Sequence, residues 1–187
     1  MIIGHLPSAY ILSKLLVKYI NKQKHNVKFF IIAGVLGGVA PDFDMLYFYL
    51  VDNRQHHHHT YWPHLPVTWF CILGFTVIWY RIAANKTWPL RGLVFSLGGI
   101  LHLLLDSIVG DIWWLAPIVD QPYALFTVPA VYEPWWLNFI LHWSFALEIF
   151  VVLWAVLLYL SGKSSKHKLN SGVKDKKGET KTQGFRP

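Results

Sequence analysis

This 187-residue chain has few charged residues and a single cysteine. Its single cysteine, Cys71, excludes an internal disulfide and a cysteine metal cage. Charged residues make up 14% of the chain, whereas a typical soluble domain has about 25%. Hydrophobic residues reach 54%, which excludes intrinsic disorder, collagen and a coiled coil. A body with so little polar surface is typical of a membrane protein.

Basic residues are concentrated at the C-terminus. Residues 162–187 hold eight Lys or Arg and two Asp or Glu, whereas residues 1–161 are nearly neutral. We therefore expect a membrane-embedded domain over residues 1–161 and a basic, disordered tail over residues 162–187. Because the tail has one aromatic residue, Phe185, no nucleic-acid partner is expected, and membrane lipids with anionic headgroups are the expected partners.

Four long apolar runs predict membrane-spanning helices, each of which needs about 20 apolar residues. The runs cover residues 29–51, 67–84, 93–118 and 137–160. An amphipathic helix is expected over residues 6–20, lying at the membrane interface or packed partly into the membrane. The predicted fold class is all-α: a polytopic integral membrane helical bundle of about four transmembrane helices plus an N-terminal helix.

Lys and Arg residues predict the orientation of the bundle, because positively charged short loops stay in the cytoplasm. Four spans place the basic tail, the link from Arg81 to Arg91 and the segment from Lys14 to Lys28 on the cytoplasmic side. The His-rich loop at residues 54–66 and the Trp-rich stretch 111–136 then face outward. The first residues lack the pattern of a cleavable signal peptide, so a bacterial inner (cytoplasmic) membrane is the expected location.

Histidine and aspartate form four clusters against this apolar background. The clusters are His5, the pair Asp42 and Asp44, the run His56–His59 followed by His64, and His102 with Asp106. His102 and Asp106 are four residues apart, so one helix face carries both side chains. Ionisable groups inside a membrane are costly and usually face a bundle interior or a cavity. The purely structural alternative for His102 and Asp106 is a buried hydrogen bond between the two side chains.

The carboxylates of Asp42 and Asp44 need cations or protons, since no Lys or Arg lies near them in the sequence. Gly37, Gly38 and Pro41 just before them predict a broken helix whose backbone lines a cavity. Without cysteine, imidazole and carboxylate ligands suit zinc, manganese or iron. More than four candidate ligands favour a site for two or three metal ions. Such a site activates water and suits phosphate esters.

The order of these motifs resembles the bacterial integral-membrane metal-dependent hydrolases, which are similar to zinc-dependent phospholipase C and related single-strand nucleases. The matching pieces, within about residues 1–160, are Gly4-His5, Gly38-Val-Ala-Pro41-Asp42-Phe43-Asp44, His59-Thr-Tyr-Trp-Pro-His64 and Gly99-Ile-Leu-His102-Leu-Leu-Leu-Asp106. The resemblance implies one to three divalent ions, zinc first and manganese or iron as alternatives. The implied ligands are His5, Asp42, Asp44, His59, His64, His102 and Asp106.

The His-rich loop departs from the commoner pattern of these hydrolases. That pattern has Arg-Gly after the first loop histidine and Thr before the second, where this chain has Thr60, Tyr61 and Pro63. The departure leaves open which residues of His56–His59 are ligands, with His59 as first choice and His58 as second.

The expected function is hydrolysis by a metal-activated water, with Asp44 or Asp106 accepting its proton. Glu148, in the last apolar run, is expected to make an interhelical hydrogen bond, to orient a ligand, or to act as a general base. A membrane-embedded site favours a lipid or lipid-linked phosphoester by analogy. The alternatives are a metal-binding transporter or channel, since intramembrane His and Asp also mark ion pathways, and a structural membrane protein without metal.

Overall fold

The computed structural model describes residues 3–20, 25–134 and 136–162. Within these ranges the chain forms α-helices and short 3₁₀ turns, with a single β-bridge between Ile112 and Tyr123. The helices are α1 His5–Leu16, α2 Val27–Val39, α3 Asp44–Leu50, α4 Pro66–Ile82, α5 Thr87–Asp106, α6 Trp136–Ile140 and α7 Ser144–Gly162. The expected all-helical class is confirmed for this part of the chain. The predicted tail, apart from Gly162, lies outside the described residues.

Two of the described helices, α5 and α7, are long and apolar enough to cross a membrane. A third span is added if α2 and residues 41–50 are counted together, although the two parts are bent by 54° at the break. Helix α4 is apolar but shorter, at 17 residues. The structure therefore supports a helical membrane protein with two or three spans, and the expected four spans are not confirmed.

Two of the predicted spans end or begin elsewhere than expected. The run over residues 93–118 does not continue as one helix, because α5 ends at Asp106. There the N–H of Gly110 donates to the Asp106 carbonyl, and the amides of Leu125 and Phe126 donate to the carbonyls of Ser107 and Ile108. Residues 107–126 thus fold back over this end of α5. The run over residues 137–160 is divided between α6 and α7 by a three-residue break.

Helix α5 lies at the centre of the bundle and packs against α1, α2 and α4. Glycines allow its backbone to approach that of α2 closely. A Cβ atom added to Gly98 would lie 2.4 Å from the Gly34 carbonyl oxygen, and one added to Gly37 would lie 1.9 Å from the Phe95 carbonyl oxygen. Small residues permit such close helix pairs in membranes. The contact holds the end of α2 beside the end of α5.

The N-terminal helix packs into the bundle. It packs against α2 and α5, and its buried residues are His5, Pro7, Ser8, Ala9, Ile11 and Ser13. At its start, Glu148 of α7 accepts hydrogen bonds from the amides of Ile3 and Gly4 at 2.6 and 2.9 Å. These contacts supply an acceptor for amides at a helix start, where no intrahelical partner exists. The starts of α1, α4 and α7 therefore lie at the same end of the bundle as the ends of α2 and α5.

Candidate metal centre

Three side-chain atoms converge at the end of α5 with the spacing of metal ligands. They are Nε2 of His64, Nε2 of His102 and Oδ2 of Asp106, and all three residues are buried. The separations are 3.0 Å from His102 to Asp106, 3.3 Å from His64 to His102 and 3.7 Å from His64 to Asp106. Tetrahedral zinc, with bonds of about 2.0–2.1 Å, holds its ligand atoms about 3.3 Å apart. The three separations lie around this value, so the three atoms could hold one metal ion.

Asp42 brings a fourth candidate ligand atom, an oxygen, close to two of these three atoms. Its Oδ1 lies 3.6 Å from His102 Nε2 and 4.0 Å from His64 Nε2. The break after α2, where Pro41 begins a 3₁₀ turn, directs Asp42 toward the end of α5. The broken helix expected from the sequence is confirmed. Because the Asp42 side chain is 39% exposed, it connects the buried ligands to the adjoining cavities.

Imidazole rings at this centre make hydrogen-bonding contacts through Nδ1, on the side opposite the Nε2 atom that faces the other ligands. In three of the rings the Nδ1 atom faces an acceptor: His102 Nδ1 the Gly38 carbonyl at 2.8 Å, His59 Nδ1 the Asp111 carbonyl at 3.0 Å, and His64 Nδ1 the Asp44 carboxylate. A ring that donates from Nδ1 keeps the lone pair on Nε2 for a metal. These contacts therefore leave Nε2 of all three rings available as a candidate metal ligand.

Asp44 lies behind His64 and contacts its Nδ1 atom, on the side opposite the ligand atom Nε2. The residue is 5% exposed. Metal-bound histidines commonly donate their other N–H to a carboxylate, which fixes the ring and raises its basicity. The structure thus places Asp44 behind a candidate ligand, whereas the sequence prediction placed it among the ligands and proton acceptors.

Asp106 is surrounded by imidazole rings on both of its oxygens. His5 Nε2 lies 3.0 Å from Oδ1, and His59 Nε2 lies 3.8 Å from Oδ2, the oxygen that also faces His64 and His102. The ring of His5 stacks on that of His102 with 3.7 Å between centroids. Two further sets of ligand atoms lie within 4.8 Å of one another, namely His58, His59 and His64, and His5, Asp42 and His102. The arrangement has donors for more than one ion.

The histidine run divides between the centre and the surface. His56 is 67% exposed and bonds to Asp52 at 2.6 Å, so it points away from the cluster. His59 and His58 lie at the cluster, with their ligand atoms near that of His64. Of the residues that the sequence left open, the structure therefore brings His59 and His58 together with the other candidates and does not bring His56.

The loop histidines differ in charge. Burial lowers the pKa of His59 to about 2 and that of His58 to about 4, so both rings are neutral and have a free lone pair at neutral pH. Burial also acts to lower the pKa of His64, but the Asp106 and Asp44 carboxylates outweigh it and raise that pKa to about 9. The two carboxylates thus favour a positive charge on or beside the His64 ring. A divalent cation bound there would replace the proton of that ring.

A family model described as the YdjM inner membrane protein matches residues 1–169. The chain belongs to this family. The membership agrees with the expected inner-membrane location, and it assigns no hydrolase activity and no metal. No curated protein and no solved structure matches the chain.

Two features of this family member's site have no signature in the sequence. The carbonyl groups of Gly38 and Asp111 orient two rings, and any residue type has such a carbonyl. Gly110 leaves room for His59, since a Cβ atom there would lie 2.9 Å from its Cε1 atom. Of the roles expected for Glu148, the structure shows the interhelical hydrogen bond: Glu148 of α7 accepts from the amides of Ile3 and Gly4 just before α1, next to His5.

Proposed function

We propose that the protein is a membrane-bound metal-dependent hydrolase that acts on a phosphoester or lipid-linked substrate. The supporting observation is the convergence of three buried ligand atoms, from His64, His102 and Asp106, with Asp42 Oδ1 within 4.0 Å of the two imidazole Nε2 atoms. The Nδ1 atoms of both rings face acceptors on the outside. Imidazole with carboxylate suits zinc first and manganese or iron as alternatives. The residues that would hold the first ion are Asp42, His64, His102 and Asp106, and His5, His58 and His59 supply donors for a second or third.

A divalent metal bound here would polarise a phosphoryl oxygen and lower the pKa of water. Hydrolysis forms a bond between the oxygen of water and phosphorus and breaks the bond to the alcohol, whose oxygen takes the proton. Asp42 is placed to hold that proton, because its carboxylate reaches the cavities. Asp106, which faces four imidazole rings, would hold the metal ion with them, and Asp44 would orient His64.

A cavity of about 540 Å³ adjoins the cluster and has room for the polar part of a substrate. Its polar lining includes Asp42, Asp106, Asp111, Thr127 and the histidines His57–His59. This volume is within the usual range for small-molecule sites, about 300–1,000 Å³. We propose that a phosphoester group binds in this cavity.

The ligand end of the bundle is proposed to face outward, with the C-terminus in the cytoplasm. Lys14 of α1 and Arg81 of α4 lie near the other ends of their helices, as positive residues on the cytoplasmic side do. A fluorescent protein fused to the C-terminus would fluoresce from the cytoplasm. An outward-facing alkaline phosphatase fusion that is active at this terminus would contradict the orientation.

Elemental analysis of detergent-purified protein tests the metal centre. We expect one to three equivalents of zinc, manganese or iron in the wild type, since the ligand atoms are already assembled. The Asp42→Ala/His102→Ala double variant should lose the metal. His142→Ala is the matched control, because His142 bonds Ser144 outside the cluster and its loss should leave the metal content unchanged.

The same preparations decide between the alternatives. Zinc-loaded wild type should release alcohol from a phosphodiester, and the double variant should not. No metal in the wild type after gentle purification and reconstitution would overturn the metal centre and favour a structural protein. Bound metal with flux across vesicles and no ester turnover would overturn the hydrolase and favour a transporter.

A further inference from the structure

A second cavity, largely apolar, lies between α1 and α7 and reaches the metal ligands. It has a volume of about 560 Å³. Its apolar walls include Leu6 and Pro7 of α1, Val39 at the end of α2, and Val152, Ala155 and Val156 of α7. Its polar residues are His5 and Asp42 from the candidate metal centre, together with Tyr10 and Tyr159. We call this cavity the α1–α7 groove.

The groove follows two helices that run side by side in the same direction. Glu148 of α7 binds the amides of Ile3 and Gly4 at the ligand end. At the other end, Lys14 Nζ lies next to Gly162. Tyr10 is five residues beyond His5, or about 7.5 Å along the helix. The groove therefore extends from the metal ligands along the axis of the bundle.

The groove and the polar cavity meet at Asp42, which lines both. The polar cavity, which is the cavity of about 540 Å³ beside the cluster, offers histidine and aspartate side chains among apolar ones, whereas the groove wall is mostly aliphatic. The two compartments are thus separated by polarity, with the carboxylate at the site of chemistry between them. A ligand that fills both has a polar phosphoester at one end and a hydrocarbon chain at the other.

Helix α7 connects the groove to the lipid around the protein. Only 11% of its apolar window is buried within the bundle, and Leu153 and Leu157 are 57% and 66% exposed. Ala155, on the groove side, is 8% exposed and leaves room because its side chain is one methyl group. A hydrocarbon chain can therefore enter sideways from the bilayer without leaving an apolar environment.

From this arrangement we propose that the α1–α7 groove binds an acyl chain of a glycerophospholipid whose phosphoester occupies the polar cavity at Asp42. The inference rests on the proposed hydrolase function and names its substrate class. The groove holds the chain by apolar burial, and the position of Asp42 places the phosphoester of the bound lipid beside the metal ligands. The aliphatic walls would favour substrates with an acyl chain. A soluble phosphodiester has no such chain and would not contact these walls.

Photocrosslinking tests the groove without requiring turnover. The probe is phosphatidylglycerol with a diazirine in one acyl chain, supplied in phosphatidylglycerol vesicles containing the reconstituted, zinc-loaded full chain. Crosslinks should map to Val152, Ala155 or Val156 by mass spectrometry. Ala155→Trp fills the groove and should reduce them at least tenfold, and Val156→Trp at its rim should reduce them too. Leu157→Trp is the control on the exposed side of α7 and should leave them unchanged.

A headgroup comparison separates a substrate from surrounding lipid. A diazirine diacylglycerol lacks the phosphoester and should label the groove at least tenfold less than the phospholipid. Equal labelling by the two probes would show that surrounding lipid alone fills the groove and would overturn the proposal. Labelling that Ala155→Trp and Val156→Trp leave unchanged in folded protein would overturn it as well.

Enzyme assays distinguish failure of the groove from failure of the hydrolase. In Ala155→Trp, the ratio of lipid hydrolysis to hydrolysis of bis(p-nitrophenyl) phosphate should fall at least tenfold, whereas Leu157→Trp should keep the wild-type ratio. Hydrolysis of the soluble diester with groove-independent lipid cleavage would overturn the groove alone. Specific labelling of the groove without turnover of either ester would overturn the hydrolase and leave lipid binding supported.

Discussion

Three histidines of the ligand cluster have an acceptor behind the ring, at Nδ1. For His102 and His59 the acceptor is a backbone carbonyl, and for His64 it is the side chain of Asp44. A side-chain acceptor can be removed by substitution, whereas a backbone acceptor cannot. His64 is therefore the ring whose orientation can be tested separately from its own presence.

At the scale of single residues, we predict that Asp44→Ala lowers zinc affinity about 10–100-fold, as loss of a carboxylate behind a ligand histidine does. The ligand atoms remain, but the His64 ring loses the partner that fixes it. Competition with a chromophoric zinc chelator measures the change. Asp111→Asn is the matched control, since the Asp111 carbonyl holds His59 and persists in that variant. Equal affinity in wild type and Asp44→Ala would contradict the role.

At the scale of elements, the contact between α2 and α5 determines whether the ligands meet. Asp42 comes just after α2, whereas His102 and Asp106 lie in the last turns of α5. Any separation of the two helices would therefore move Asp42 away from the other candidate ligands. The helices approach through Gly34, Gly37 and Gly98. The close packing of small residues, remote from the chemistry, thus supports the spacing of the ligand atoms.

We predict that Gly98→Ala lowers the free energy of unfolding by about 1–3 kcal/mol, the usual cost of overpacking. Its Cβ atom would lie 2.4 Å from the Gly34 carbonyl oxygen and 2.8 Å from the Gly38 nitrogen, and backbone cannot move aside as a side chain can. Thermal unfolding in detergent, with metal content measured in parallel, reports both effects.

Gly74→Ala is the matched control for this prediction. Nothing lies within 4 Å of a Cβ atom at Gly74, which is in the middle of α4. Alanine there should leave stability unchanged or raise it by up to about 1 kcal/mol through helix propensity. If both alanine variants unfold at the wild-type temperature, the close approach of α2 and α5 does not limit packing.

At the scale of the whole molecule, the last helix holds the first one in place. Glu148 is 2% exposed and joins α7 to the amides before α1, across 144 residues of sequence. His5, the first candidate ligand, follows those amides directly. The site therefore depends on contacts between both ends of the described chain.

We predict that Glu148→Ala lowers the free energy of unfolding by about 3 kcal/mol, because two amides lose their acceptor and an unsatisfied buried donor costs about 1–3 kcal/mol. Hydrogen exchange of the first-turn amides of α1 should accelerate, and Glu148→Gln, which keeps one acceptor oxygen, should have an intermediate effect. The exposed Glu133→Gln serves as control. Unchanged exchange at α1 in Glu148→Ala would refute the link.

The sequence by itself determined the helical class, the apolar character of the bundle and the composition of the candidate centre. These follow from local features: runs of apolar residues, the glycines and proline that break the helix before Asp42, and the four-residue spacing of His102 and Asp106. Periodicity and composition act within one element, so they can be read without knowing its neighbours.

Only the tertiary structure decided where helices end and which role each polar residue takes. The end of α5 at Asp106 depends on hydrogen bonds from Gly110 and on the returning segment, which lie beyond the apolar pattern. The positions of Asp44 behind His64 and of Glu148 beside α1 depend on contacts between residues 20 and 144 positions apart. A metal ligand and the residue that orients it can be the same residue type, such as aspartate. Only the distances in the folded structure distinguish the two roles.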